Sequence, residues 1–339
     1  MKKIILTGCA GFIGFHLCKK LLLNDYEIIG IDNLNSYYDI NLKKARLEEI
    51  KNISKKKKLN WTFKLVDLTN KNDLNEIFEI YQPSLVIHLA AQAGVRFSIS
   101  HPEEYINANL VGFFNIIESC RKHNVEQFLY ASSSSVYGDN LKVPFKESSS
   151  TNRPVSLYAA TKKSNELIAY SYSHLYKIKT IGMRFFTVYG PWGRPDMAPM
   201  IFTKAILSGS KIKIFNNGEN YRDFTYIDDV IEVIFRLIRR SQIKTTESNV
   251  NFSNKSQEKI PYEIFNIGNS KSINILKFLE ILEKEIGKKA EKDFIPMQLG
   301  DVIETFADTK KIEDFIGFKP NTNLDTGIKK FVEWYKTFY

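Results

Sequence analysis

The sequence predicts an α/β fold, a doubly wound parallel sheet with a smaller α/β domain at its C-terminal end. Three observations carry that prediction. Short apolar runs alternate with stretches of helical spacing through the first half of the chain, and such alternation builds parallel strands joined by crossover helices on both faces. The first run stops at the glycine-rich turn Gly8-Cys9-Ala10-Gly11-Phe12-Ile13-Gly14, with helical spacing from Phe12 to Leu23. The chain has 339 residues, long for one hydrophobic core, so a large domain carrying a smaller one is expected.

Each element has its own signal. Lys3-Ile4-Ile5-Leu6-Thr7 and Glu27-Ile28-Ile29-Gly30-Ile31-Asp32 read as the first two strands, and further apolar runs follow at Phe63 to Asp67, Leu85 to Leu89, Phe128 to Ser132 and Thr180 to Phe185. Long helical segments, His101 to His123 and Leu157 to Tyr176, come after the fourth and fifth strands. Beyond Phe186 the pattern changes. The turn-rich Gly190-Pro191-Trp192-Gly193-Arg194-Pro195 leads into a helix ending near Ser208, a β run Lys211 to Phe215 and a helix Asp228 to Arg239. Glu263 to Ile267 returns to the main sheet, and the tail carries helices near Ile275 to Ile286 and Thr326 to Lys336. Ser241 to Ile260 is polar and without apolar pattern, which reads as an exposed, mobile insertion.

Composition excludes several classes. With 43% hydrophobic and 25% charged residues the chain is an ordinary globular protein. Its most apolar stretch, Leu85 to Val95, is interrupted by His88 and Gln92 and falls short of a membrane span. Met1-Lys2-Lys3 before Ile4-Ile5-Leu6 mimics a signal peptide, but the run ends at Thr7-Gly8, so a cytoplasmic protein is expected. Cys9, Cys18 and Cys120 have no metal-ligand spacing and are too few for a disulfide framework, so no metal is expected and the thiols read as buried or incidental. The net charge of +10 includes Lys55-Lys56-Lys57-Lys58, read as part of a polar connection after Lys43 to Ile53. Without interleaved aromatics or a nucleic-acid motif it is a solvated face, not a nucleic-acid site. A basic balance suits an acidic small substrate.

Two constellations carry chemistry. Glycines between a strand and a helix let backbone N–H groups approach a pyrophosphate at the helix N-terminus. Asp32 closes the second strand, where a carboxylate accepts from both ribose hydroxyls and repels a 2′-phosphate. The following Asn33-Leu34-Asn35-Ser36-Tyr37 offers no cation to rescue that phosphate. A Rossmann-type dinucleotide site taking NAD rather than NADP is therefore expected. The second constellation is Tyr158 with Lys162, one turn apart on one helical face. Of seventeen tyrosines only Tyr158 has a lysine four residues on. A fixed cation beside a phenol lowers its pKa and makes it a usable base.

With these residues placed, the chain resembles the extended short-chain dehydrogenase/reductase family, and within it the nucleotide-sugar 4-epimerases. The resemblance runs over nearly the whole length. It rests on the glycine turn, Asp67-Leu68, His88-Leu89-Ala90-Ala91-Gln92, Ala131-Ser132-Ser133-Ser134-Ser135-Val136-Tyr137-Gly138 and the Tyr158/Lys162 pair, in that order. It implies a catalytic set of Ser133, Tyr158 and Lys162. It implies NAD on Gly8, Gly11, Phe12, Ile13, Gly14, Asp32, Asn33, Asp67, Leu68, Leu89, Ala90, Ala91, Gln92, Asn109, Tyr158, Lys162, Phe185 and Val188. The sugar-nucleotide 4,6-dehydratases carry an Asp-Glu pair where this chain has Ser134 and Ser135, so no acid for dehydration is present.

Downstream, Arg184-Phe185-Phe186-Thr187-Val188-Tyr189-Gly190 and Tyr221-Arg222-Asp223-Phe224 resemble the family's substrate-side motifs. Arg222 is read on the substrate diphosphate, or else as a structural partner of Asp223 or Asp228. Arg96, Ser133, Ser134, Ser135, Thr187, Arg194, Gln298 and Asp301 complete the implied substrate set. A second phosphate-binding arginine of glucose and galactose epimerases falls at Gln298 here, whereas Gly193-Arg194-Pro195-Asp196-Met197 and the segment from Met297 to Thr309 resemble the branch acting on UDP-glucuronate. The implied division is an NAD-binding domain of residues 1–184 with about 222–268, and a UDP-sugar domain of about 185–221 with 269–339. A homodimer is implied as well. UDP-glucose or UDP-N-acetylglucosamine epimerisation, UDP-glucuronate decarboxylation and a non-catalytic NAD-binding scaffold remain the alternatives.

Overall fold

In the computed structural model, residues 2–242, 260–298 and 300–339 are described. The apolar runs become β1 (Lys3–Thr7), β2 (Glu27–Asp32), β3 (Trp61–Leu65), β4 (Leu85–His88), β5 (Gln127–Ser133) and β6 (Lys179–Phe185). Then come β7 (Thr187–Tyr189), β8 (Ile212–Phe215), β9 (Tyr221–Tyr226), β10 (Tyr262–Ile267), β11 (Ser272–Asn274) and β12 (Lys292–Ile295). Among the described residues the main sheet has seven strands in the order β10-β6-β5-β4-β1-β2-β3. Every neighbouring pair in it is parallel. β4 is buried along its whole length, which is why these strands read as unbroken apolar runs rather than alternating ones. The remaining strands form two small sheets, β11-β9-β7 and β12-β8, and these wall the other side of the site.

The crossovers are α1 (Phe12–Leu22), α2 (Ile40–Lys57), α3 (Lys71–Tyr81), the short turns α4 (Phe97–Ser100) and α5 (Pro102–Tyr105), α6 (Gly112–Lys122) and α7 (Leu157–Tyr176). After the main-sheet crossovers follow α8 (Ala198–Ser208), α9 (Ile227–Gln242), α10 (Ile275–Ile286), α11 (Lys310–Ile316) and α12 (Leu324–Phe338). Local chemistry sets their starts. Asn70, Ser156, Asn274 and Asn323 each accept a first-turn N–H, satisfying donors that a helix leaves unpaired. Two apolar layers result. One packs α1 and α9 with the C-terminal segment against the sheet, and the other packs α3, α6 and β4–β5 on the opposite face. The three cysteines are buried and unpaired within these layers.

Three readings need amendment. Lys55 to Lys57 are not in a connection but form the last turn of α2, where positive charge complements the exposed carbonyls of the helix end. The segment from His101 to His123 is helical but uneven, passing through α5 and a wider π turn at Ile106–Val111 before α6. The proposed insertion Ser241 to Ile260 lies outside the described residues except at its ends, where Ser241 closes α9. No helix among the described residues is long and apolar enough to cross a membrane.

Candidate active site

Strand order reverses between β1 and β4, whose neighbours run in opposite chain directions. A crevice opens outside the carboxyl ends of parallel strands at such a point. Here it is a cleft of about 1590 Å³, bounded by the glycine turn, the ends of β2, β4 and β5, the start of α7, and residues from the two small sheets. Every site residue singled out from the sequence lines this cleft except Asn109 and Gln298.

On one side lies the glycine turn. Gly8 has φ +74, and a Cβ there would stand 2.7 Å from the Ala90 backbone nitrogen. A Cβ on Gly14 would come within 2.0 Å of the Gly8 carbonyl oxygen. No side chain fits at either place, so the turn and the α1 start can pack this closely only as glycine. Gly11 caps α1 with no side chain, leaving first-turn N–H groups free for an anion. Both Asp32 oxygens accept backbone N–H groups, from Ala10 at 3.1 Å and Leu34 at 2.9 Å. Burial pushes the Asp32 carboxyl up, and the Leu34 and Ala10 N–H groups with the Lys43 and Arg46 charges pull it back. Asn33 donates to Asp67 at 2.7 Å, joining the ends of β2 and β3 at the cleft.

Asn109 works behind this surface. Its amide oxygen accepts the Gln92 N–H at 2.8 Å, and its amide nitrogen donates to the Gln92 carbonyl at 3.0 Å and to Thr161 at 3.1 Å. Asn109 is buried between β4 and α7 and does not line the cleft, where the resemblance implies a cofactor contact; what it makes is a clamp on the backbone of Gln92. Gln92 itself lines the cleft, and its Nε2 is buried without a hydrogen-bond partner. An orphaned donor of this kind calls for a ligand oxygen. Together, the glycine turn, Asp32 and this donor fit a dinucleotide.

Ser133 ends β5, and its side chain accepts the Ser135 N–H at 3.2 Å as the chain turns away. Ser156 caps α7 through a 3.1 Å bond from Ala159. That cap places Tyr158 in the first turn and Lys162 in the second, both against β5. Burial raises the Tyr158 phenol, while a hydrogen bond with Ser133 and the charge of Arg194 lower it. Lys162 donates to the Ala131 carbonyl at 3.0 Å, and burial pulls its ammonium down to about 8. The spacing predicts Lys162 as the cation acting on the phenol; in the structure burial leaves the phenol raised, and the charge that pulls against it is that of Arg194, in the loop after β7.

Underneath, Arg184 on β6 grips Glu166 on α7 with Nε and Nη2, both at 2.8 Å, and Ser132 donates to the same carboxylate at 2.7 Å. The bidentate pair fixes α7 to β6, and the Ser132 bond fixes it to β5, whose end carries Ser133.

The opposite wall holds the substrate-side residues. Ser134, Ser135 and Thr187 face the cleft beside Tyr158. Arg222 pairs with neither Asp223 nor Asp228 but with Asp301, at 2.6 Å. Asp223 is buried and accepts from the Asn269 and Ala307 N–H groups instead. Arg96 lies over the Phe215 ring at 4.6 Å. Gln298 stays out of the cleft, with its Oε1 buried and unpartnered. Sequence reasoning missed Tyr37, Tyr38, Lys43 and Asp196, which line the cleft, and Arg46, buried just behind it. The signal for the first three was their closeness to Asp32; Asp196 stood in a motif already noted.

Comparison with known proteins agrees with this geometry. The chain is 48% identical over 337 residues, 99% of each chain, to Protein CapI of Staphylococcus aureus. It is 42% identical over 343 residues to a probable UDP-glucuronate 4-epimerase of Rhizobium meliloti, covering 99% of this chain and 98% of that one. The crystal structure of a UDP-glucuronic acid 4-epimerase from Bacillus cereus, in complex with UDP-glucuronic acid and NAD, superposes with a TM-score of 0.87 at 32% identity, covering 99% of this chain and 100% of that one. Residues 4–268 match the NAD dependent epimerase/dehydratase family, and the chain belongs to that family.

Proposed function

We propose that this protein is an NAD-dependent UDP-glucuronate 4-epimerase, interconverting UDP-glucuronate and UDP-galacturonate. The observation that carries the reading is the meeting of Ser133, Tyr158 and Lys162 with the neutral donors Ser134, Ser135 and Thr187 in one cleft above the glycine turn. Relatives that match over almost the whole chain carry this activity in their names. The glycine turn, Asp32 and Gln92 would hold the dinucleotide. When bound, NAD supplies a reversible hydride acceptor for the sugar C4.

The chain's own residues do the rest. Tyr158 takes the 4-hydroxyl proton, with the Ser133 hydroxyl bridging sugar and phenol. Arg194 supplies positive charge that favours the phenolate, and Lys162, one turn on from Tyr158, would hold the nicotinamide ribose. Arg222, oriented by Asp301, meets the diphosphate as a planar fork. A grip on the nucleotide alone leaves the sugar free to turn over, so that either face of C4 is presented and no net redox results.

A uronic acid brings its own hazard. Once C4 is a ketone the sugar is a β-keto acid, which loses CO₂ when the carboxylate bond aligns with the carbonyl π system. Neutral hydroxyl donors hold the carboxylate out of that alignment without themselves becoming buried charges. Ser134, Ser135 and Thr187 are such donors.

The domain division follows the chemistry: residues 1–184 with about 222–268 bind the cofactor, and about 185–221 with 269–339 bind the UDP-sugar. A homodimer is part of the proposal, because Ile106, Val111 and Phe114 near α6 and Leu167 and Tyr170 on α7 are exposed apolar side chains on neighbouring helices. Buried free thiols suit a reducing, cytoplasmic setting. The test is incubation with UDP-glucuronate, UDP-glucose and UDP-N-acetylglucosamine followed by separation of the products. UDP-galacturonate from the first is the expected result. A protein that ignores UDP-glucuronate and epimerises a neutral sugar refutes the substrate; one that turns over none refutes the activity.

A further inference from the structure

Arg46 on α2 is fully buried although it carries a charge, and it is not among the residues lining the cleft. Its guanidinium donates to the Ala10 carbonyl at 2.8 Å, the Tyr38 hydroxyl at 2.7 Å, the Trp192 carbonyl at 2.6 Å and the Gly193 carbonyl at 3.3 Å. These acceptors belong to three separate segments: the glycine turn, the loop after β2 and the loop after β7. Each of those segments also lines the cleft, through Gly8 and Gly11, Tyr37 and Tyr38, and Arg194 and Asp196. One side chain therefore ties the loop after β7 to the two segments that follow the paired strands β1 and β2.

The far end of this tie is built to stay put. Trp192 has φ 63, a left-handed conformation that a bulky residue adopts only when its surroundings enforce it. Its ring is packed on Phe15, Trp334 and Phe338, with centroids 5.1, 5.5 and 4.9 Å away. The backbone so held turns its carbonyl to Arg46. A second tie runs nearer the cleft mouth, where Tyr37 donates to Asp196 at 3.0 Å and Arg194 holds that carboxylate with two nitrogens. All four Arg46 acceptors are neutral oxygens. Its charge is felt by Asp32 but, among the described residues, it bonds to no carboxylate, so positive potential remains behind the turn where a diphosphate would sit.

We propose that Arg46 is the positioning residue of the cofactor seat: it clasps the glycine turn to the loop after β7, and bound dinucleotide exchanges only when that clasp opens. This rests on the NAD reading given above. An epimerase that returns its hydride in every cycle gains nothing from releasing the cofactor, and a clasp across the cleft keeps it in place between turnovers. Lysine cannot replace the arginine here, since a single ammonium does not reach acceptors in three segments at once.

The experiment follows NAD rather than product. Wild type, Arg46→Lys and Tyr37→Phe are purified, their NAD is measured after acid release, and exchange with excess isotopically labelled NAD is timed by mass spectrometry. Arg46→Lys is expected to exchange at least about tenfold faster, as for loss of a charged hydrogen bond, and Tyr37→Phe about fivefold. Tyr37→Phe keeps its ring contact with Phe97 at 4.8 Å, so it carries the test with the fold intact even where Arg46→Lys does not fold. Turnover of the variants should fall on desalting and rise again with added NAD; a merely structural role would lower it at every NAD concentration. Wild type that neither retains nor takes up NAD overturns the cofactor reading itself. Wild type that retains it, beside variants that exchange it no faster, overturns the clasp alone.

Discussion

Changing Glu166 to Gln removes one charge from a site where both partners are out of water, and the cost can be worked from the contacts. Glu166 and Arg184 are 2% and 3% exposed. The carboxylate accepts two 2.8 Å bonds from the guanidinium, one of 2.7 Å from Ser132 and a longer one of 3.5 Å from Lys163. A pair about 4 Å apart at an effective dielectric near 20 is worth about 4 kcal/mol, and breaking one side of a buried pair costs about 3–5 kcal/mol. Arg184 keeps two neutral partners, the Tyr137 hydroxyl at 3.0 Å and the Glu147 carbonyl at 3.1 Å, so the lower end, about 3 kcal/mol, is expected. Arg184→Met should cost a similar amount. The double change Glu166→Gln with Arg184→Met should cost clearly less than the two singles together, because neither charge of the buried pair remains. Urea unfolding of the four proteins, compared at constant slope, measures this. Single variants within about 1 kcal/mol of wild type, or a double variant equal to their sum, would refute the reasoning.

Four further outcomes are expected. Tyr158→Phe folds and keeps NAD, since its ring still packs against Tyr105 at 6.1 Å, but turnover falls by roughly 10²–10⁴ or more; near wild-type turnover excludes it as the base. Asp32→Ala retains less NAD and discriminates less against NADP, because acceptor and repelling charge go together; unchanged content and preference in the purified variant exclude that role. Burial, then the Lys162 charge, lowers His88 to about 3, so it is neutral when folded and its contribution is whole above the unfolded value near 6.5. That contribution is lost as pH falls toward 3, by roughly 3 kcal/mol at about pH 4.5; unfolding of wild type and His88→Gln at two pH values should show a shallower loss in the variant. Thr187→Ala or Ser134→Ala should leak UDP-pentose by decarboxylation, and mass spectra with no pentose would remove these residues from carboxylate control.

What the sequence disclosed depended on how local the controlling contacts are. The main-sheet strands were legible because burial on both faces leaves unbroken apolar runs, as in β4. Tyr158 and Lys162 were legible because one turn of a capped helix joins them, and Ser133 only through the resemblance of the motif that ends its strand. α2 shows the opposite case. Lys55 to Lys57 read as part of a polar connection, yet the helix runs to Lys57 and buries Lys43 and Arg46. Nothing near Arg46 in the chain announces this, for its partner Trp192 lies 146 residues away. The same holds for Tyr37 with Asp196, 159 residues apart, and for Arg222, whose acid proved to be Asp301, 79 residues on, rather than a neighbour on its own strand or helix.

The first two of these distant contacts join α2 and the loop before it to the loop after β7, whereas Arg222 and Asp301 both lie beyond Phe186. The chemistry of either wall can be written from its own motif, but Arg194 illustrates what the motifs omit. It stands in the loop after β7, is held by Asp196 and through it by Tyr37, and lowers the phenol of Tyr158 on the other side. Arg194 with Asp196, Tyr37 and Tyr158 therefore belong to three segments, the loop after β7, the loop after β2 and the start of α7, and no one motif of the chain contains them all.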